Sequence, residues 1–303
     1  MKKIIINQLD DCLIQYLNKK KINSSNGKII SKFKNVINIE FEILDCLIVI
    51  ATSEVVLSPY MMIIDNRDIF DQIRESVKIG AVVYISHHKK EIIIGKFKLS
   101  YKNTDKWSSK IEKNDNIKDI KKDYFFTREI LLKYGLSNPL TKSFLCIDKE
   151  IKKENIQNIY ITMFTKLLSE LNSELSFENL KKFIGLGVGL TPSGDDFIVG
   201  LLATFHYYSF FDNQVKRLFN LFNKYYFKNK TTYIGFYTIT HSIHGRVNHG
   251  IYDYLSTIQH NNENNCRQFE IIDIGSTSGI DMLTGICFGM QYLKNKKEKY
   301  DEK

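Results

Sequence analysis

Proline and tryptophan are scarce in this chain, with three prolines and one tryptophan in 303 residues. Proline interrupts helices and sheet interiors. Pro59, Pro139 and Pro192 all stand at the edges of patterned segments, so none breaks a predicted element. The five cysteines (Cys12, Cys46, Cys146, Cys266, Cys287) are odd in number and far apart, with no Cys-x-x-Cys pair. That spacing excludes a disulfide framework and the common zinc sites, and predicts reduced thiols in a cytoplasmic protein. No apolar run approaches the roughly 20 residues of a membrane span. The first one, Ile4–Ile6, stops at Asn7 and is followed by Asp10 and Asp11, so it is no signal-peptide core. No membrane partner and a soluble, cytoplasmic protein are expected.

Arginine is also sparse, although the formal net charge is +9. The excess is lysine, scattered in short groups such as Lys19–Lys21 and Lys294, Lys296, Lys297 and Lys299. Bidentate phosphate and base recognition favours arginine, and no nucleic-acid-binding signature is present. No specific nucleic-acid partner is expected, while the positive field can steer a small anion inward. With 43% hydrophobic and 25% charged residues, the chain can bury a core.

Residues 28–101 read as strands. Lys28–Lys34 is mixed, Val36–Ile43 alternates with period two, and Cys46–Thr52, Met61–Ile64, Ala81–Ile85 and Glu91–Leu99 follow. Short strands with brief polar turns predict an antiparallel barrel or sandwich, with one helix over Phe70–Val77. Residues 102–124, around Trp107, read as a linker or surface excursion. From Tyr124 onward, three-four spacing predicts helices over Phe126–Tyr134, Ile156–Leu171, Phe177–Ile184, Asp196–Phe211, Val215–Phe227, Tyr233–Ile243, Asn248–Ile258 and Ile280–Leu293, with a frayed end at Lys294–Lys303. The expected fold class is α+β: a β-rich N-terminal barrel or sandwich (1–110) followed by an all-helical C-terminal domain (125–303).

The chemistry concentrates in Gly185-Leu186-Gly187-Val188-Gly189-Leu190-Thr191-Pro192-Ser193-Gly194-Asp195-Asp196. Glycines such as Gly187 and Gly189 permit positive φ and close approach of a ligand to the backbone. Thr191 fits a helix N-cap and Pro192 the first helical position. Free amides and the helix dipole then favour a phosphate or carboxylate. No lysine follows the glycines as in a Walker loop. On that helix Ser193, Asp196 and Gly200 share one face.

A second segment, Gly275-Ser276-Thr277-Ser278-Gly279-Ile280-Asp281 through Gly285, repeats the pattern Ser-Gly-x-Asp-x-x-x-Gly. Ser193, Gly194, Asp196 and Gly200 match Ser278, Gly279, Asp281 and Gly285 at a constant offset (278 − 193 = 85), and Thr191 matches Ser276. Two such elements predict helices crossing at Gly200 and Gly285, extended by Gly289, with N-termini converging on one small anion. Asp195, Asp196 and Asp281 are the candidate catalytic residues. Gly187, Gly189, Thr191, Ser193, Gly194, Ser276, Ser278 and Gly279 are the candidate substrate- or phosphate-binding ones. Asp196 and Asp281 could hold Mg²⁺, the one cofactor considered, or accept hydrogen bonds from an NH₂ group. The plainer alternative is a helix-crossing device with capped ends. Among His241, His244, Arg246 and His249 no zinc pattern appears, and Arg246 is the candidate for a bidentate carboxylate contact.

Gly185–Gly200 and Ser276–Gly285 resemble the two signatures of the family that includes the third subunit of oxamate carbamoyltransferase. Thr231-Thr232 is similar to a further family position, and the layout of β-rich start and helical end also matches. The chain departs from the pattern near position 235, where a serine is expected and Gly235 stands, and around Gly245, where small apolar residues are usual and His241 and His244 intrude. The resemblance implies a cytoplasmic subunit working with two other carbamoyltransferase subunits in purine and allantoin breakdown. The reaction converts oxalurate and phosphate to oxamate and carbamoyl phosphate. The alternatives are a non-catalytic anion-binding or regulatory subunit, or a stand-alone Mg²⁺-dependent hydrolase.

Overall fold

A computed structural model describes residues 2–18, 25–41, 46–114, 119–148, 158–210, 212–258 and 270–301. Cys266, the lysine group 19–21 and parts of five expected segments (Glu42 and Ile43, residues 115–118, Ile156 and Gln157, Phe211, Glu302 and Lys303) lie outside the described residues. Two compact units divide the chain, Met1–Ser109 and Lys110–Lys303.

The first unit is a ten-stranded mixed sheet. Its strands are β1 (Lys2–Ile5), β2 (Gln8–Asp10), β3 (Ser25–Lys32), β4 (Val36–Phe41), β5 (Cys46–Ala51), β6 (Met61–Ile63), β7 (Val82–Ser86), β8 (Glu91–Ile94), β9 (Phe97–Ser100) and β10 (Asp105–Trp107), with helices α1 (Asp11–Leu17) and α2 (Arg67–Ser76). The spatial order is β1-β9-β8-β7-β3-β4-β5-β6-β2-β10. β1 therefore lies at one end of the ladder and β2 near the other, yet only Ile6 and Asn7 separate them. Ile6 N donates to Ser100 O and Asn7 N to Ile63 O, each at 3.0 Å. A two-residue link can reach both ends only if the sheet curls, and this makes it a half-barrel. On β4 the apolar Ile37, Ile39 and Phe41 alternate with Asn38 and Glu40, and both sets are buried, so neither face of this strand is left to solvent.

The pairing corrects the antiparallel expectation: β1–β9, β10–β2 and β5–β6 are parallel. Glu91–Leu99, read as one strand, is a hairpin in which Ile94 faces Phe97 across a two-residue turn headed by Gly95 at φ +55. The region around Trp107 carries β10, and buried Ser109 ties to Asp10 through its amide and hydroxyl, both at 3.2 Å.

The second unit is helical among the described residues. It contains α3 (Ile120–Tyr134), α4 (Pro139–Ile147), α5 (Ile159–Ser173), α6 (Phe177–Leu180), α7 (Ser193–Tyr207), α8 (Asn213–Lys224), α9 (Tyr233–Ile243), α10 (His249–Ile258) and α11 (Ser278–Asp301). α7 is buried over nearly its whole length, and α11 is buried from Gly279 to Met290. Helices apolar all round belong in the centre of a bundle, and α3, α4, α9 and α10 pack on this pair. Among the described residues the chain after Leu293 is helical rather than frayed. α11 continues to Asp301, its lysines held by Asp212 (3.6 Å from Lys296 Nζ) and by the ring of Tyr124 (5.0 Å from Lys294 Nζ). No described helix is long and apolar enough to cross a membrane, and no disulfide joins the four cysteines among the described residues.

Candidate functional site

Both motif copies fold as a short 3₁₀ turn, a glycine turn and a buried helix. In the first copy the 3₁₀ turn is Lys181–Phe183. Gly187 follows at φ +124, and a Cβ there would stand 2.7 Å from Ser193 N. Only glycine lets this loop fold back onto the first amide of α7. In the second copy the turn is Glu270–Asp273, followed by Gly275. The equivalent glycine amides are tied off alike: Gly194 N to Leu186 O (2.8 Å) and Gly279 N to Ile274 O (3.0 Å). Asp196 N bonds Pro192 O (3.2 Å) and Asp281 N bonds Thr277 O (2.9 Å). The offset of 85 therefore holds in the backbone from Pro192 and Thr277 into the helices, while the loops before them differ in length, since Gly194 N reaches eight residues back and Gly279 N five.

The capping assignment moves by one residue. Pro192, extended at φ −56 and ψ 144, is itself the N-cap, and α7 starts at Ser193. Thr191 therefore makes no cap; its hydroxyl pairs with that of Ser278 at 2.8 Å. This bond joins the start of α7 to the start of α11. Further along, the glycine positions set the spacing. A Cβ at Gly200 would overlap the Met282 carbonyl oxygen, and one at Gly285 would overlap that of Phe197. Thr204 lies against Gly289. Contacts that advance together from Thr191/Ser278 to Thr204/Gly289 mean that the two helices run parallel. Their positive dipole ends therefore lie side by side.

Beneath those ends sit Asp196 and Asp281, 1% and 0% exposed. Both oxygens of Asp196 and Oδ2 of Asp281 are buried without a hydrogen-bond partner. Asp281 Oδ1 accepts from Asn138 Nδ2 at 2.8 Å. The hydroxyls of Ser278 and Thr191 stand near Asp196, and those of Ser193 and Thr277 near Asp281, close enough to favour the ionised forms in part. None of them makes a well-formed bond to these oxygens. Burial dominates: it raises the Asp281 carboxyl to about 6. The Asp196 carboxyl is pushed well above its usual range, by burial first and by the charge of Asp281 second. Buried carboxylate oxygens without donors are costly, and here three occur together.

Asp195 faces elsewhere. Its Oδ1 accepts from Gly185 N at 2.7 Å and its Oδ2 accepts from the Thr231 hydroxyl. Burial raises it to about 6, against the pull of those two bonds. Thr232 caps α9, accepting from Gly235 N at 2.9 Å, while its own hydroxyl donates to Leu190 O. The Thr231-Thr232 pair thus fastens the glycine loop at two points. Gly235 also has a reason here: a Cβ would overlap Asp195 Oδ2 and lie 2.7 Å from Thr231 Oγ1.

Thr191, Ser193, Gly194, Asp196, Ser278, Gly279 and Asp281 are thus brought together at one pair of helix starts. Gly189 is exposed on the loop, and Ser276 is exposed in the turn before α11. Arg246 lies in the α9–α10 connection, where its backbone bridges Lys110. The adjacent Gly245 packs on His206, in the last turn of α7. His241 is lowered to about 3 by burial and by neighbouring His244 and Arg246, so it is neutral at any ordinary pH. His249 Nδ1 approaches Asp253 (3.2 Å) and Glu270 (3.6 Å), a partly exposed group whose ligand atoms lie within 4.8 Å of one another. Sequence reasoning missed Asn138. Its signal was the Asn138-Pro139 pair, a cap followed by proline at the first helical position, and indeed Asn138 Oδ1 accepts from Thr141 N at 3.0 Å to cap α4.

Two family models match the chain. One, described as oxamate carbamoyltransferase subunit AllH, covers residues 183–290 and so contains both motif copies. The other, the AllH family N-terminal domain, covers residues 5–107, the curled sheet. No solved structure matches. With most of its length accounted for by these two models, the chain belongs to the oxamate carbamoyltransferase subunit AllH family.

Proposed function

We propose that this protein serves as a subunit of an oxamate carbamoyltransferase assembly and binds a small anionic substrate where α7 and α11 begin. The observation that carries this reading is the set of three buried, donor-free carboxylate oxygens under two parallel helix N-termini. The amides of Ser193 and Ser278 would take phosphate or a carboxylate, as helix starts do. Asp196 and Asp281 would hydrogen-bond the amide end of oxamate or of a carbamoyl group, at least one carboxylate oxygen accepting from its NH₂. Asp195 would act on the loop rather than on substrate, since both its oxygens are already occupied. Carbamoyl transfer needs chiefly positioning and stabilisation of developing charge, so this site requires no dedicated nucleophile. The other carbamoyltransferase subunits would complete the assembly.

A second reading, a non-catalytic subunit that holds the anion and docks a partner, is favoured by Val188 and Leu190. These apolar side chains of the glycine loop are 75% and 51% exposed, an arrangement that suits burial by another chain. Mg²⁺ at Asp196 and Asp281 is a third, since a hard cation also suits free carboxylate oxygens.

A thermal-shift panel on the purified chain separates these readings: phosphate, carbamoyl phosphate, oxamate, oxalurate and Mg²⁺, with Asp196→Asn as control. A ligand at 100 times its Kd stabilises the native state by about 2.7 kcal/mol. A shift with oxamate or carbamoyl phosphate that is lost in Asp196→Asn supports the carbamoyl site. A shift with Mg²⁺ alone supports the hydrolase. In the reconstituted assembly, unchanged turnover by folded Asp196→Asn and Asp281→Asn would favour the non-catalytic role.

A further inference from the structure

The two motif copies are alike in backbone where their helices begin, and one difference bears on the paired carboxyls. Asp281 has a side-chain donor, the carboxamide of Asn138, whereas Asp196 has none. The orientation of that carboxamide is fixed by chemistry. Its oxygen must accept from Thr141 N to cap α4, so its NH₂ is turned to Asp281 Oδ1. Asn138 itself is only 5% exposed. A donor to a carboxylate favours the charged form. Two neighbouring buried carboxyls cannot both ionise cheaply, so the proton belongs on the one without a donor.

From this asymmetry we propose that Asn138 fixes Asp281 as the carboxylate and Asp196 as the carboxylic acid, making the pair a matched acceptor and donor for a primary amide or carbamoyl group. The acid O–H of Asp196 donates to the ligand carbonyl, and the free Oδ2 of Asp281 accepts from its N–H. The inference rests on the binding reading above and deepens it by naming the chemical group recognised. The groups facing the pair agree with it. From α7 and the loop before it come Thr191, Ser193 and Asp195; from α11 and its turn, Thr277 and Ser278; from α4, Asn138. None of them carries positive charge, so one proton between two carboxyls is the least costly state, and the single remaining charge faces two positive helix ends. Asn138 is a positioning residue here, acting through Asp281.

The test is infrared spectroscopy of the full chain at pH 8, where carboxyls titrating near 6 are ionised, read as the protonated-carboxyl band. The expected result is one such band, abolished in Asp196→Asn and retained in Asp281→Asn. Asn138→Ser keeps an N-cap acceptor for α4 but loses the reach to Asp281. In that variant the proton is shared, and the band then responds to Asp281→Asn as well. Circular dichroism checks that each variant folds. In the binding arm, oxamate should bind roughly tenfold or more tightly than oxalate, which lacks the N–H donors, and Asn138→Ser should narrow that ratio. No protonated carboxyl at pH 8, a band that follows Asp281 in the parent protein, or indifference to Asn138→Ser would overturn the proposal. So would equal binding of oxamate and oxalate. Failure of both ligands to bind would count against the binding reading, while the band alone would still decide where the proton sits.

Discussion

Replacing Gly200 by alanine tests the helix pair on which the site stands. In an ordinary helix, glycine to alanine stabilises by up to about 1 kcal/mol. Here the new Cβ would overlap the Met282 carbonyl oxygen and stand 2.9 Å from its carbon and 3.0 Å from Ile286 N. Ordinary contact begins at 3.4 Å, so the carbon alone demands that α7 and α11 part by about 0.5 Å, and the oxygen demands more. The obstacles are backbone atoms, so no rotamer change relieves them. Overpacking of this kind costs about 1–3 kcal/mol or more, which outweighs the helix gain. The expected net loss is on the order of 2 kcal/mol, with Gly285→Ala behaving alike because its Cβ meets Phe197 in the same way. Gly289→Ala, facing the Thr204 side chain (Cβ 2.9 Å, Cγ2 3.0 Å), should lose less. Urea denaturation followed by helical circular dichroism reads these differences as midpoint shifts. Gly200→Ala as stable as the parent protein, or more so, would refute the close parallel packing.

The remaining predictions concern carboxyls and the loop. Asp123 is 2% exposed, accepts from the Tyr208 hydroxyl at 2.5 Å, and is raised to about 6 by burial. A carboxyl whose folded pKa exceeds its unfolded value binds protons better when folded. Its stabilisation is therefore full below about 3.8 and is lost as pH rises to about 6, a change of roughly 3 kcal/mol. Asp123→Asn, which still accepts from Tyr208, should flatten the stability profile between pH 4 and 6 and be neutral or stabilising at pH 8. Urea melts across that range check it, and an unchanged slope would contradict it. Asp195→Ala should free Gly185 N and Thr231, cost about 1–3 kcal/mol, and speed amide exchange over residues 185–192; exchange at the parent rate would deny Asp195 its anchoring role. Gly235→Ser, restoring the residue expected at this family position, should disturb the Asp195–Thr231 contact and also raise exchange in the loop. A silent Gly235→Ser would mean that the contact is not needed.

Local signals carried most of the helical unit. α9 spans Tyr233–Ile243 as its periodicity predicts, because Thr232 supplies a cap and the apolar spacing is unbroken. The repeat at an offset of 85 was legible because glycine at a helix crossing is a packing requirement, and the copies do pair at Gly200, Gly285 and Gly289. What stayed hidden depends on distant chain. β1 is four residues long and gains strand identity only from β9, so Lys2 pairs with Phe97. The hairpin at Gly95 was masked by apolar residues on both sides of it. α4 is nine residues long, too short for a firm period, and its Asn138 reaches a motif 143 residues away. No spacing rule finds such a contact. The lysines after Leu293 look like a solvated tail until Asp212 and Tyr124 are seen to hold them.

The most direct measurement is the structure of this protein, alone or assembled with its partner subunits, with oxamate bound. Oxamate is expected at the starts of α7 and α11. Its carboxylate would lie within reach of the Ser193 and Ser278 amides, its amide on Asp196 and Asp281, and the Thr191–Ser278 bond would be rearranged to admit it. Oxamate bound elsewhere, with that hydroxyl pair intact and the three carboxylate oxygens still without donors, would contradict it.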